Sequence, residues 1–250
     1  MSSELTPAGL LAAAYADDPA RPLITYYDDA TGERTELSVA TLDNWVAKTA
    51  NLLVDGCGLV PGDRAVALLP AHWQAAAVLL GCWSAGVATA HAGPSDTGQP
   101  VDVVFTAVDR LEQARHWPAG DRYALGLAPL GMPLREPPDG FADYVAEVRQ
   151  YGDRFVPVEP VDPDGDALVG LPRGPLSHRA LAAAGADRAH DLGLKPGGRL
   201  LVVDSADSPA RPVDWLLAPL AAGASVVLCR NGDPAKLGVR AGQERVTVTL

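Results

Sequence analysis

The sequence predicts an α/β protein with largely parallel sheets covered by helices, and three observations predict it. Short Val-, Leu- and Ala-rich runs at residues 65–69, 101–106, 199–203 and 225–229 alternate with longer segments of helical periodicity. Gly and Pro punctuate the junctions, at Pro61-Gly62, Ala85-Gly86 and Pro196-Gly197-Gly198. The chain has 250 residues, 48% of them hydrophobic, enough for a substantial core and too apolar for wholesale disorder. Strands alternating with helices imply parallel pairing, because each return to the same edge of the sheet needs a crossover segment.

Residues 5–16 read as a short apolar helix with Thr6-Pro7 near its start, where proline is tolerated, and Asp17-Asp18-Pro19 breaks it. Residues 23–27 and 34–37 flank Asp28-Asp29-Ala30-Thr31-Gly32 and predict a β-hairpin. The acidic pairs Asp17/Asp18 and Asp28/Asp29 fall at turns, where Asp is locally favoured, and are assigned to no metal. Ser38 caps the next helix, whose buried face is Leu42, Trp45, Val46, Thr49, Leu52 and Leu53. After the strand at 65–69, residues 73–84 form a helix apolar on nearly all sides, hence interior, followed by a short strand at 87–90.

Residues 93–100 are a polar loop, 101–106 a strand, 108–116 a helix and 122–127 a further strand. Residues 129–140 are rich in breakers and read as a surface loop. Residues 141–151 read as an amphipathic helix with Phe141, Tyr144, Val145 and Val148 on one side. Pro157, Pro160 and Pro163 mark 157–166 as the boundary between two halves. Beyond it come the end of a strand in the stretch that opens at Asp166, a tight Gly/Pro loop, a helix from near Ser177 to about Leu192 and a strand at 199–203. A polar loop at 204–212, a helix through Trp215 and Leu220, and strands at 225–229 and 245–250 close the chain. Trp45, Trp73, Trp83 and Trp215 occupy apolar helical positions and are read as core.

Net charge is −11, from 31 acidic and 20 basic residues, which disfavours non-specific contact with nucleic acid or anionic membrane. No apolar run approaches the roughly 20 residues of a membrane span, and Met1-Ser2-Ser3-Glu4-Leu5 lacks a secretory leader's pattern. Cys57, Cys82 and Cys229 are far apart, with no metal-ligand spacing, and read as buried free thiols of a cytoplasmic protein. The five histidines are dispersed, and no GxSxG elbow or nucleophile–His–acid set is argued from spacing. No catalytic residue and no metal ligand is assigned.

Residues Asp166 to Ala182 organise the remaining argument. Gly170-Leu171-Pro172-Arg173-Gly174 followed by Leu176-Ser177-His178-Arg179-Ala180-Leu181 resembles the second half of the phosphate-loop signature of adenylate-forming enzymes, the superfamily of acyl-CoA synthetases, luciferases and adenylation domains. The ordered series Thr35-Glu36-Leu37-Ser38, Val60 to Pro70 and Gly81 to Val87 is similar to the N-terminal subdomain of the same enzymes. This resemblance implies two layered αβα subdomains: 1–156 as the N-terminal one, and 157–250 as a second, shortened one carrying the degenerate phosphate loop.

Acyl-adenylate formation joins a carboxylate to the α-phosphate of ATP, so it needs preorganised donors, a cation and Mg²⁺ around the phosphates. In the family a Thr/Ser/Gly-rich run supplies donors ahead of the loop; here Val169 runs straight into Gly170, and Arg173 stands in place of the motif's Lys. Arg keeps the charge but differs in shape and reach. The loop before the Trp215 helix does not match the family's acyl-pocket element, and its adenine, ribose and catalytic-Lys motifs find no match.

The expectation is therefore a catalytically degenerate relative acting as a binding or protein-interaction module, through a homodimer or hetero-complex that covers the shortened large-domain surface. No cofactor is expected, with ATP or AMP and Mg²⁺ binding only if Gly170, Arg173 and Gly174 retain a residual anion site. Beside that site stands the plainer reading of an inherited tight turn; Ser177 and His178 are read as a helix cap and ordinary surface packing. Two alternatives are a divergent acyl-CoA or acyl-adenylate synthetase using Arg173, and an acyl- or CoA-binding protein.

Overall fold

The computed structural model describes residues 6–90, 100–205 and 209–250. In chain order the helices are α1 (Pro7–Asp17), α2 (Val39–Asn51), α3 (Trp73–Ser84), α4 (Leu111–Arg115), α5 (Tyr144–Val148), α6 (His178–Asp191), α7 (Ala218–Ala221) and α8 (Pro234–Gln243). The strands are β1 (Pro22–Asp28), β2 (Glu33–Ser38), β3 (Arg64–Leu68), β4 (Ala88–Ala90), β5 (Val101–Ala107), β6 (Ala119–Leu125) and β7 (Ala142–Asp143), then β8 (Asp166–Val169), β9 (Leu176–Ser177), β10 (Arg199–Asp204), β11 (Ser225–Arg230) and β12 (Val248–Thr249). The fold is mixed α/β with largely parallel sheets.

The start signals act as their chemistry dictates. Thr6 accepts a hydrogen bond from Gly9 N–H at 3.0 Å ahead of Pro7, Ser38 Oγ accepts from Thr41 N–H at 3.2 Å, and Asp233 accepts from Ala235 N–H at 2.9 Å ahead of Pro234. α2 continues into a π-helical turn over Leu52–Gly56, and a similar turn over Val213–Leu217 leads into α7.

The chain forms two compact units, neither continuous in sequence. The first takes the described residues of Met1–Leu42, Pro70–Trp73 and Ala180–Leu250; the second takes Asp43–Leu69 and Gln74–Arg179. This differs from the expected division at 156/157, and strand pairing gives the reason. β1 runs parallel to β11, with Ile24 opposite Val226, so the N-terminal hairpin belongs with the C-terminal third. The Pro-rich stretch at 157–165 lies within the second unit and leads into β8, which pairs with β4.

In the first unit the sheet order is β12-β10-β11-β1-β2, parallel except for the β1–β2 hairpin. Ile24, Leu200, Val226, Leu228 and Trp215 are buried in this unit. α8 is fastened by a polar network: Arg240 donates to both Asp29 oxygens, at 2.7 and 3.1 Å, and its guanidinium carbon lies 4.1 Å from the Tyr27 ring centroid. In the second unit the order is β7-β6-β5-β3-β4-β8-β9, parallel except for β8–β9. Its core joins Val78, Cys82, Val103, Phe105, Leu125, Tyr144 and Val148, with the buried Tyr144 hydroxyl 2.7 Å from Thr49 Oγ1.

Several expected elements change. The helix expected at 141–151 is only α5, because Ala142 and Asp143 pair with β6 and Asp143 then caps Ala146 N–H; the apolar face Tyr144, Val145, Val148 is nonetheless buried. α8 was not anticipated, and the strand expected at 245–250 shrinks to β12. The loops expected at 93–100 and around 206–208, and the first residues of the expected N-terminal helix, fall partly or wholly outside the described residues.

Candidate functional site: the β8–β9 turn and the start of α6

β8 is held in place by the carbonyl of Ala167, which accepts from Trp83 Nε1–H at 3.1 Å and from the Thr89 hydroxyl at 3.2 Å, both buried donors in the second unit. The strand ends at Val169, and Gly170 follows at φ +78°, a left-handed conformation that glycine adopts without a Cβ penalty. Leu171 to Gly174 make a tight turn closed by Gly174 N–H donating to Leu171 O at 3.0 Å. Gly174 sits at φ +92°, and a Cβ there would meet nothing within 4 Å, so backbone conformation rather than close approach requires glycine. Arg173 is exposed at the apex, and no acidic partner pairs with it among the described residues.

The chain then returns antiparallel as β9, with Leu176 opposite Leu168 and Ser177 opposite Asp166. The loop is thus the tip of a hairpin, and Gly170, Arg173 and Gly174 are together on it. α6 begins immediately after β9. Its first two N–H groups are already used: His178 N–H donates to Gly165 O at 3.0 Å, and Arg179 N–H donates to Pro163 O at 2.8 Å. A helix N-terminus attracts anions because its leading N–H groups lack partners and its dipole is positive there. Here the loop before β8 supplies the acceptors and also Asp162 and Asp164, and Asp166 opens β8 itself. Arg179 makes two hydrogen bonds to the Asp164 carboxylate, at 2.9 and 3.3 Å, which hold that carboxyl below the ordinary range.

His178 departs from the expectation of surface packing. It is 1% exposed, and its Nδ1 has no hydrogen-bond partner. Burial depresses its pKa to about 4, although Asp162 and Asp166 pull the other way. The imidazole is therefore neutral at pH 7, a packed ring rather than a cation.

Sequence reasoning placed the turn and its glycines but missed the role of Asp162-Pro163-Asp164-Gly165-Asp166. The available signal was an Asp/Pro/Gly turn directly before a strand, which was read only as a linker. Among the described residues, no group of three or more His, Cys, Asp or Glu side chains is placed to hold a metal ion. The free thiols are Cys57, Cys82 and Cys229; burial pushes Cys57 up to about 11, so its thiolate is scarce at neutral pH.

No protein-family model matches the chain. A Mycobacterium tuberculosis (strain ATCC 25618 / H37Rv) protein described as a TIGR03089 family protein is 44% identical over 238 residues, covering 93% of each chain. Among solved structures, the acetoacetyl-CoA synthetase of Streptomyces lividans superposes with a TM-score of 0.76 at 23% identity, covering 97% of this chain and 41% of its own. The acyl-CoA synthetase of Brucella canis gives 0.74 at 19% identity, covering 98% and 46%. An anthranilate CoA ligase solved with anthranoyl-AMP gives 0.72 at 13% identity, covering 96% and 48%. At these identities the likeness is one of fold: the architecture matches the N-terminal part of adenylate-forming enzymes, and the chain spans less than half the length of each of these structures.

Proposed function

Since the chain belongs to the TIGR03089 family and folds like the first part of the adenylate-forming enzymes, we propose that it is a catalytically degenerate relative of them that works as a binding or protein-interaction module. One observation carries this reading. The leading N–H groups of α6, which would face a phosphate, are hydrogen-bonded to Gly165 O and Pro163 O, and they are preceded by Asp162 and Asp164 in the adjoining loop and Asp166 at the start of β8. Seating a triphosphate there requires breaking those bonds and bringing like charges together, a penalty that a single Arg173 does not offset. The residues present do not fit a nucleotide phosphate at this helix start, so no step of acid activation is drawn through them.

Association is the other half of the proposal. In the second unit Val156 and Val158 are 73% and 94% exposed, and Leu130 and Met132 are also exposed, which supports docking to a second copy or another protein. A cytoplasmic setting is proposed with it, since three unpaired cysteines suit a reducing compartment.

A second reading keeps a residual anion site at Gly170, Arg173 and Gly174, favoured by the exposed guanidinium at the turn's apex. A calorimetric titration with ATP and Mg²⁺, with AMP alongside, tests both. No heat of saturable binding at millimolar nucleotide is expected. Stoichiometric binding lost in Arg173→Gln would sink the degenerate reading, and pyrophosphate release with a panel of carboxylic acids would then decide for a ligase.

A further inference from the structure

The second unit has a shallow, open cavity of about 240 Å³ lined by Arg115, Arg122, Gly140 and Phe141, remote in sequence from the phosphate-loop residues. Both guanidinium groups approach the same aromatic ring: their carbons lie 5.6 Å (Arg115) and 5.8 Å (Arg122) from the Phe141 centroid. Two cations at one ring are noteworthy in a chain of net charge −11.

The two arginines are held differently. Arg122, on β6, donates through Nη1 to Ala114 O at 2.9 Å and through Nη2 to Trp117 O, so its plane is fixed while other N–H donors remain. Those two carbonyls lie at and just beyond the end of α4, which explains Arg122 as a helix-end partner. It does not explain Arg115. Among the described residues that side chain pairs with one acidic neighbour, Glu112, whose oxygen is 3.6 Å away and which is itself 90% exposed. No hydrogen-bond acceptor engages Arg115 among the described residues. A ring face attracts each cation only weakly, by roughly 0.5–1 kcal/mol at exposed sites, and accepts none of the guanidinium N–H bonds in the plane of the group. A bound oxyanion would accept them. Gly140, at φ +79°, brings main chain rather than a side chain to the rim, and Phe141 is almost wholly buried, which fixes the ring.

We infer that this cavity is a binding site for a compact oxyanion, a phosphate or carboxylate group held between Arg115 and Arg122 above the Phe141 ring. The volume is below the usual range for whole drug-sized ligands, which limits the occupant to a head group or a small acid. Arg122 supplies the preorganised half and Arg115 the half that closes.

Calorimetric titration of the full chain with inorganic phosphate, and separately with benzoate, at low constant ionic strength tests this. Saturable one-to-one binding of either probe is expected. Arg115→Gln should weaken it about tenfold to a hundredfold, as loss of a charge-assisted contact does, and Arg115→Lys should weaken it less. Arg115 is exposed, so both variants should keep the parent melting temperature. Tighter binding of benzoate than phosphate assigns an organic acid lying along the ring; the reverse assigns a free or terminal phosphate. Arg173→Gln should leave binding unchanged, which separates this cavity from the β8–β9 turn. No saturation by either probe, equal affinity in Arg115→Gln, or loss in Arg173→Gln instead would each overturn the inference.

Discussion

Acidification from pH 7 to pH 5 should weaken both units through one buried histidine in each. His178 in the second unit and His72 in the first are 1% and 0% exposed. Burial lowers His178 to about 4, against the raising effect of Asp162 and Asp166, and lowers His72 to about 3, with the Arg230 cation adding to the fall. In the unfolded chain both titrate near 6.5. Below that pH the unfolded state binds protons that the folded state refuses, so stability falls as pH falls and levels off only below the folded-state values. At pH 5 the cost is about 2 kcal/mol per histidine, set by the distance from 6.5 and insensitive to the folded pKa so long as it lies well under 5.

Other groups contribute little in this window. Glu33 and Asp43 are raised by burial and oppose the effect slightly, while Asp29, Asp214 and Glu244 are lowered and begin to cost stability only as their unfolded-state pKa near 4 is approached. Urea unfolding at the two pH values, followed by circular dichroism and tryptophan fluorescence, measures the loss. His178→Gln should be less stable than the parent at pH 7 yet lose about 2 kcal/mol less on going to pH 5. An unchanged urea midpoint at pH 5, or a His178→Gln variant with the parent's full pH dependence, would refute the reasoning.

Arg240→Met should lower first-unit stability by about 2–3 kcal/mol, read as a urea midpoint, because Asp29 is left as a nearly buried carboxylate whose partner is gone while Lys236 stays 3.5 Å away. Gly81→Ala should destabilise by about 1–2 kcal/mol despite the better helix propensity of Ala. Its Cβ would stand 2.6 Å from Thr49 Cβ, and a β-branched neighbour yields little. Leu130→Asn should raise the melting temperature slightly, by roughly 0.5–1 kcal/mol in stability, since Leu130 is 78% exposed and sits at φ +57°, a conformation Asn tolerates better.

The parts of the fold legible in sequence were those governed by local pattern. The run Trp73–Ser84, apolar on nearly all sides, reads as an interior helix, and it is one; the Asp28–Gly32 turn between two strand-like runs reads as a hairpin, and it is one. What the pattern cannot carry is partner choice between distant segments. Nothing in Leu23-Ile24-Thr25 says that its neighbour is Val226-Val227, and so the prolines at 157–163 looked like a domain boundary when they are a loop inside one unit. α8 was missed because its amphipathic face includes Arg240, a charge buried against Tyr27 of β1, Asp29 of the turn that follows it and Cys229 of β11, all distant in sequence. The candidate site divides the same way. Gly170 and Gly174 announce a turn, whereas the use of α6's first donors depends on Pro163 and Gly165 folding back across it.

The discontinuity of the first unit has a consequence for synthesis. β1 leaves the ribosome ahead of its parallel neighbour β11 by roughly two hundred residues, about ten to forty seconds at ordinary translation rates. Until then Leu23, Ile24 and Tyr26 sit in a hairpin that supplies two of the sheet's five strands, with apolar side chains and a strand edge open to other chains. The strands described in the second unit are all synthesised by Ser177, so that unit is free to form while the first waits. Closing the first sheet bears the loop entropy of everything between, so its nascent hairpin is the part of this chain for which holding chaperones, or a crowded polysome, matter most.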